Sequence, residues 1–216
     1  MTQLPDHHDG HDHDHDHPHA PLSDETPAPG YFQALEAAVR ELLIEKGVIT
    51  PEALRRQIER MDAITPALGA KLVARAWVDP DFKARALADG TAAARELGLE
   101  TGAMRLIVVE STPTLHNLVV CTLCSCYPRP LLGIPPDWYK SRAYRSRAVR
   151  EPRAVLAEFG TVVPDHVEVR VHDSTADMRY LVLPERPPGT EGWDEERLAT
   201  LVTRDTMIGV ARVAVA

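Results

Sequence analysis

Hydrophobic residues recur at helical spacing in the first half of the chain and alternate in short runs in the second half. Between residues 31 and 98 the apolar positions repeat every three or four residues, which predicts amphipathic helices. Thr50 and Asp79 are N-cap residues that each precede a proline, and both predict the start of a helix. We expect glycines to end these helices, with Gly47 after the first and Gly98 after the helix that follows Asp79. The residues expected to face inward are Phe32, Leu35, Val39, Leu42 and Leu43, then Leu54, Ile58 and Met61.

Beyond residue 100 the pattern changes to short β-branched runs, which predict strands at residues 105–109, 118–120, 167–171 and 180–183. Further helices are expected near residues 136–138 and 152–159, and a last helix should hold Leu198, Leu201 and Val202. The proline-rich residues 128–136 predict an irregular stretch. Because strands and helices alternate without regular βαβ spacing, the predicted fold class is α+β: a helical N-terminal arm followed by a layered domain.

The first 30 residues differ in composition from the rest. They contain seven of the ten histidines, alternating with aspartate between His11 and His17, together with several prolines and almost no large apolar residues. Such a segment cannot offset the entropy of ordering and is predicted to be disordered. Its imidazoles would also suit weak, exchangeable binding of divalent cobalt, nickel or zinc. The predicted divisions are therefore a tail at 1–30, a helical region at 31–100 and an α+β domain at 101–216.

Charge and hydropathy exclude several classes of function. The formal net charge of −8 over 216 residues argues against a nucleic-acid-binding surface. No apolar run approaches the ~20 residues that a membrane span requires, so no membrane partner is expected. The acidic, histidine-rich start is unlike a signal peptide, which predicts a cytoplasmic and therefore reducing location.

All three cysteines lie within one hexapeptide, Cys121-Thr122-Leu123-Cys124-Ser125-Cys126, which we call the claw. Structural zinc sites use four ligands, usually in two separated pairs, and only His116 is near enough in the sequence to be a fourth. Iron–sulfur clusters generally need four cysteines. The spacing instead favours a planar chelate, in which the deprotonated amide nitrogens of Ser125 and Cys126 bind a metal between the sulfurs of Cys124 and Cys126. Cys121 would then occupy one axial position, and such a chelate requires an inert ion such as trivalent cobalt or low-spin iron.

The claw and several later segments resemble the nitrile hydratase α subunit. The matching segments are Val120 to Tyr127, Trp138 to Ser141, Tyr144 to Arg147, Glu151 to Arg153, Arg170-Val171, Arg179-Tyr180, Thr203 to Asp205 and Ile208 to Val210, within residues 31–212. In that family, Thr122 after the first cysteine and Tyr127 after the third are typical of the cobalt type. The resemblance therefore implies one Co(III) per chain rather than low-spin Fe(III), and places the metal-binding catalytic domain at 101–216.

The resemblance also implies chemistry for individual residues. Cys124 would be oxidised to a sulfinate and Cys126 to a sulfenate, both known cysteine oxidation states. Hydroxide or the Cys126 sulfenate oxygen would attack a nitrile carbon, and the imidate would collapse to an amide. The hydroxyls of Ser125 and Thr122 would form hydrogen bonds near the metal and tune it.

The resemblance implies supporting groups and partners as well. Arg179 and Asp177 match positions that support the claw, although the family usually has the longer glutamate at the second. Arginines of a β-type subunit would hold the sulfur oxygens, so the chain is expected to be active only in a hetero-oligomer. A cobalt activator protein is a further partner that the resemblance leaves open.

Two alternatives remain at this stage. Most nitrile hydratases have tryptophan where this chain has Arg129, and an arginine there resembles the γ subunit of thiocyanate hydrolase, which carries the same claw. Thiocyanate, which that relative converts to carbonyl sulfide and ammonia, is therefore a second candidate substrate. A cobalt chaperone, with the histidine-rich tail as its main feature, is the alternative from a different functional class.

Overall fold

The computed structural model describes residues 30–215, which divide into two compact units, one ending at Ile49 and one beginning at Thr50. The predicted disorder of the tail falls on residues outside this range, except for Gly30. The first unit contains helix α1, Tyr31–Glu45. Gly47 follows it with a φ of +67°, as predicted for a glycine that ends a helix. None of the α1 side chains is buried in this chain, and Phe32 is 80% exposed.

The second unit begins with four helices: α2 Pro51–Asp62, α3 Ala67–Val78, α4 Pro80–Ala88 and α5 Gly90–Glu96. The predicted N-caps are confirmed, since the Thr50 hydroxyl accepts from the amide of Ala53 and the Asp79 carboxylate from that of Phe82. The prediction of one continuous helix from Asp79 to Gly98 was wrong. Asp89 adopts an extended conformation after α4, and its carboxylate caps α5 by accepting from the amide of Ala92.

Four parallel-paired strands follow the predicted positions: β1 Arg105–Glu110, β2 Leu115–Val120, β3 Glu168–Asp173 and β4 Met178–Leu183. β1 pairs with β4, and β2 pairs with β3, in two separate two-stranded sheets. Five consecutive residues of β2, from His116 to Val120, are buried, because the strand is covered on both faces. In the β2–β3 register Val120 lies opposite Asp173, which brings the end of β3 beside the claw.

Six shorter helices complete the domain: α6 Arg129–Leu132, α7 Asp137–Lys140, α8 Arg142–Arg150, α9 Pro152–Glu158, α10 Glu195–Ala199 and α11 Arg204–Ile208. The stretch expected to be irregular thus contains α6. The last predicted helix was also wrong in extent: α10 ends before Leu201, and α11 starts afresh at the Thr203 cap. Gly209 ends α11 with a φ of +88°, and a Cβ there would overlap the carbonyl oxygen of Asn117.

The core lies between the helices and the strands and confirms the α+β class. Its largest fully buried side chains include Tyr139, Phe82, Leu72, Leu118 and Leu181. Trp77 packs against this core, and its indole nitrogen donates to the carbonyl of Pro184 at 2.8 Å. α2, whose apolar residues were expected to face inward, has no buried residue, and Ile58 is 47% exposed. No helix within residues 30–215 has the length and apolar character to cross a bilayer.

Candidate metal centre

Strand β2 fixes the backbone at the start of the claw. Its carbonyls at Val119 and Val120 accept from the hydroxyl of Tyr144 and the amide of Ser174, both at 2.7 Å. The next residue, Cys121, is fully buried. The first thiol of the claw is therefore held at the end of a buried strand, as the sequence predicts.

The three thiols converge on one point. The Sγ atoms of Cys121 and Cys124 are 3.6 Å apart, those of Cys124 and Cys126 are 3.3 Å apart, and all three lie within 4.8 Å of one another. Thiolates that bind one ion at about 2.3 Å are roughly 3.3–4.6 Å apart, so this triad fits a single metal ion. His116 lies outside the triad, with its Nε2 atom 2.7 Å from the carbonyl oxygen of Gly209. His116, which was considered as a fourth ligand for structural zinc, therefore makes a buried hydrogen bond instead.

One backbone amide of the claw contacts a sulfur: the amide of Cys124 donates to Cys121 Sγ at 3.3 Å. A hydrogen bond from the Cys126 thiol, then hydrogen bonds from the amides of Ser125 and Cys126, lower the pKa of Cys124. Three converging thiols suit a transition-metal ion. The planar chelate through the nitrogens of Ser125 and Cys126 stays a prediction.

Exposure differs between the cysteines. Cys124 is exposed and Cys126 half-buried, whereas Cys121 is inaccessible. Burial, followed by hydrogen bonding with Cys124, raises the pKa of Cys126 to about 12, while the charge of Arg179 opposes this rise. The open side of the triad is therefore the side of Cys124 and Cys126.

Side chains from other elements hold the claw loop in place. The Asp173 carboxylate accepts from both the amide and the hydroxyl of Thr122, at 2.9 and 2.6 Å. Arg145 donates to the carbonyl of Leu123 at 3.0 Å, and the Tyr139 hydroxyl donates to that of Cys126 at 2.8 Å. Sequence reasoning gave none of these three residues a role. Nothing local marks them, because their contacts depend on the β2–β3 register and on the packing of α7 and α8.

The structure separates Arg179 and Asp177, the predicted supporting residues, and Arg129, the residue that favours the second candidate substrate. Arg179 is half-buried on β4 and acts electrostatically on Cys126. Asp177 is exposed, and its backbone carbonyl accepts a hydrogen bond from the amide of Arg105. Arg129 opens α6 with an exposed side chain. Only Arg179 therefore acts on the cysteines among the described contacts of these three.

Comparison with known proteins places this centre in a family. Residues 30–211 match the model for the nitrile hydratase alpha chain. The chain belongs to that family. It is 55% identical over 178 residues to the alpha subunit of the low-molecular-weight cobalt-containing nitrile hydratase of Rhodococcus rhodochrous, covering 81% of this chain and 85% of the relative. It is 53% identical over 178 residues to the corresponding cobalt-containing subunit of Pseudonocardia thermophila, with 80% and 86% covered.

Thiocyanate hydrolase is a close relative as well. Its gamma subunit from Thiobacillus thioparus is 47% identical over 204 residues, covering 89% of this chain and 83% of the relative. A solved recombinant thiocyanate hydrolase with partially modified cobalt centres is 47% identical with a TM-score of 0.79, covering 86% of this chain and 91% of that chain. An Fe-type nitrile hydratase double mutant from Comamonas testosteroni Ni1 is 43% identical with a TM-score of 0.80, covering 86% and 96%. The predicted family, fold and close relative are confirmed.

Proposed function

We propose that this nitrile hydratase-family chain is the metal-bearing subunit of an enzyme that hydrates nitriles to amides at a cobalt centre in the claw. The observation that carries the proposal is the convergence of the three claw thiols on one point. The family match extends over residues 30–211 and not over the claw alone, which disfavours a cobalt chaperone.

The metal is proposed to be one Co(III), bound by Cys121, Cys124, Cys126 and the amides of Ser125 and Cys126. Thr122 and Tyr127 support cobalt, as do relatives that are named cobalt-containing. The likeness to an Fe-type enzyme leaves low-spin Fe(III) as the second candidate. When bound, the ion supplies Lewis acidity that polarises the nitrile.

The claw cysteines supply the reacting oxygen in this proposal. Cys124 is a sulfinate and Cys126 a sulfenate, and both lie on the open side of the triad. When the sulfenate oxygen of Cys126 adds to the nitrile carbon, the π electron pair moves to nitrogen, which takes a proton. Water then attacks the sulfur, the S–O bond breaks, the imidic acid leaves and the sulfenate is restored. When hydroxide from water adds instead, the imidic acid forms directly. Tautomerisation gives the amide, so one water is consumed for each nitrile in either case. Thr122 anchors the loop through Asp173.

A β-type subunit is the proposed partner, with a cobalt activator protein acting during maturation. Leu123, at the tip of the claw, is 88% exposed and is therefore accessible to a partner. The sulfur oxygens also need cations that would come from that subunit. We therefore expect the purified chain alone to be inactive and co-production with a β-type subunit to restore turnover. Substantial activity from the single chain would contradict this arrangement.

Metal analysis tests the centre itself. In the complex lacking residues 1–30 we expect about one cobalt per chain, and loss of that cobalt when Cys121, Cys124 or Cys126 is replaced by serine. Removing the tail separates metal held by the claw from metal held by the tail histidines. Stoichiometric zinc in an active, trimmed complex would overturn the cobalt assignment.

Thiocyanate is the alternative substrate, and Arg129 is the observation that favours it. Its exposed guanidinium follows the claw directly and would attract an anion. We expect a higher specificity constant for a simple aliphatic nitrile than for thiocyanate in the wild-type complex. The reverse order would identify a thiocyanate hydrolase-type subunit.

The remaining assignments concern location and domain organisation. The proposal places the protein in the cytoplasm, where the thiols stay reduced until the metal binds. Residues 101–216 form the proposed metal-binding catalytic domain, and residues 31–100 the helical region before it. Arg179 is proposed to support the charge of Cys126, and Asp177 to act at the edge of the site.

A further inference from the structure

Arg145 is a half-buried cation beside the claw that has no anionic partner among the residues that the structure describes. Its Nη1 atom donates to the carbonyl of Leu123 at 3.0 Å, while its Nε atom is buried without a hydrogen-bond partner. None of the salt bridges among residues 30–215 includes Arg145. Burying part of a guanidinium without a carboxylate is unfavourable, so the chain by itself does not compensate this charge.

Arg145 is one of three side chains through which α7 and α8 hold carbonyls in and next to the claw. Tyr144 binds the carbonyl of Val119, Arg145 that of Leu123 and Tyr139 that of Cys126. The two tyrosines are neutral and buried, and they hold the ends of this segment. Of these three side chains, Arg145 holds the middle of the segment, at the peptide that leads into Cys124, and it is the one that brings a positive charge.

The metal-loaded claw would supply the anion that Arg145 lacks. Three thiolates and two amidates carry more negative charge than a trivalent ion neutralises, so the loaded claw is a net anion. We propose, on the basis of the function proposed above, that Arg145 is a positioning residue for metal loading. It holds the Leu123 carbonyl and so fixes the peptide whose amide, that of Cys124, donates to Cys121 Sγ at 3.3 Å, and its positive charge lies beside the claw. The claw is thus the counter-ion of Arg145.

The test uses the complex co-produced with its β-type partner in cobalt-containing medium. Arg145→Gln keeps an amide donor but removes the charge, and Arg145→Lys keeps the charge but loses the planar fork. We expect Arg145→Gln to retain cobalt about 10-fold less tightly against a chelator, because residues that orient metal ligands have effects of that size. Its sulfur-to-cobalt absorption band should shift, and Arg145→Lys should recover most of the retained metal.

Two matched variants separate this role from a structural one. Arg142→Gln removes an exposed charge from the same helix and should keep wild-type cobalt and absorption. Tyr144→Phe removes a hydrogen bond from the same helix to β2 without changing charge; it should lower the thermal midpoint but keep the cobalt.

Wild-type cobalt retention and absorption in Arg145→Gln would overturn the proposal. Equal cobalt loss in Arg145→Gln and Tyr144→Phe would also overturn it, because the charge would then be irrelevant. A wild-type complex that binds no cobalt would instead refute the proposed function.

Discussion

Replacing Asp173 by alanine should release the claw loop from β3. The carboxylate accepts two hydrogen bonds from Thr122, one from its amide at 2.9 Å and one from its hydroxyl at 2.6 Å. A hydrogen bond to a charged group contributes about 1.5–3 kcal/mol when shielded, and less where water competes, as it does for these two exposed residues. We therefore expect Asp173→Ala to lower the free energy of unfolding by about 2 kcal/mol in total. Thr122→Val, which removes only the hydroxyl, should lower it by about 1 kcal/mol.

A double-mutant cycle measured by urea unfolding of the full chain isolates this contact. Because both substitutions remove the same hydroxyl–carboxylate bond, their effects should fall short of additivity by about 1 kcal/mol. Asp173→Asn, which keeps one carbonyl acceptor, should be intermediate. In the complex, cobalt retention should fall about 10-fold for Asp173→Ala. Additivity within about 0.3 kcal/mol would show that the two side chains are not coupled and that their hydrogen bond does not stabilise the chain.

Three further predictions address the chemistry, the substrate and the fold. Mass spectrometry of an active preparation should find added oxygen on Cys124 and Cys126 and none on the buried first cysteine; fully reduced thiols would contradict the mechanism. Arg129→Trp should raise the specificity constant for small apolar nitriles relative to anionic substrates, whereas a uniform loss of activity would mean that the arginine serves assembly. Gly209→Ala should destabilise the chain by about 3 kcal/mol in thermal unfolding. An alanine there would have to adopt a left-handed conformation, and its Cβ would also overlap the carbonyl oxygen of Asn117 in β2. Gly189→Ala, left-handed but in open space, should cost only about 1 kcal/mol and serves as its control; equal losses would show that the overlap is unimportant.

Helix caps and β-branched runs in the sequence predicted the helix starts and the strands. Thr50 and Asp79 cap helices as expected, and all four strands lie where β-branched runs were found. Two errors concerned helices that the structure divides, and another concerned α2, whose apolar residues are not buried. Asp89 ends α4 and starts α5, and Gly90 must be small because a Cβ there would lie 2.8 Å from the carbonyl oxygen of Leu106. Sequence periodicity does not register such an approach, since it depends on how α5 lies against β1.

The same distinction applies to the metal centre. The candidate donors and the likeness to the family were predictable from the sequence, because three cysteines and the amides between them lie within six residues, and chelate geometry over so short a span depends on spacing. What holds that segment could be read from the tertiary structure alone. Asp173 reaches Thr122 because β3 pairs with β2 in one register, and Arg145 reaches Leu123 because α8 packs beside the claw. These partners are 51 and 22 residues away from the claw residues they bind. Contacts between distant residues are set by the packing of strands and helices, which no local spacing encodes.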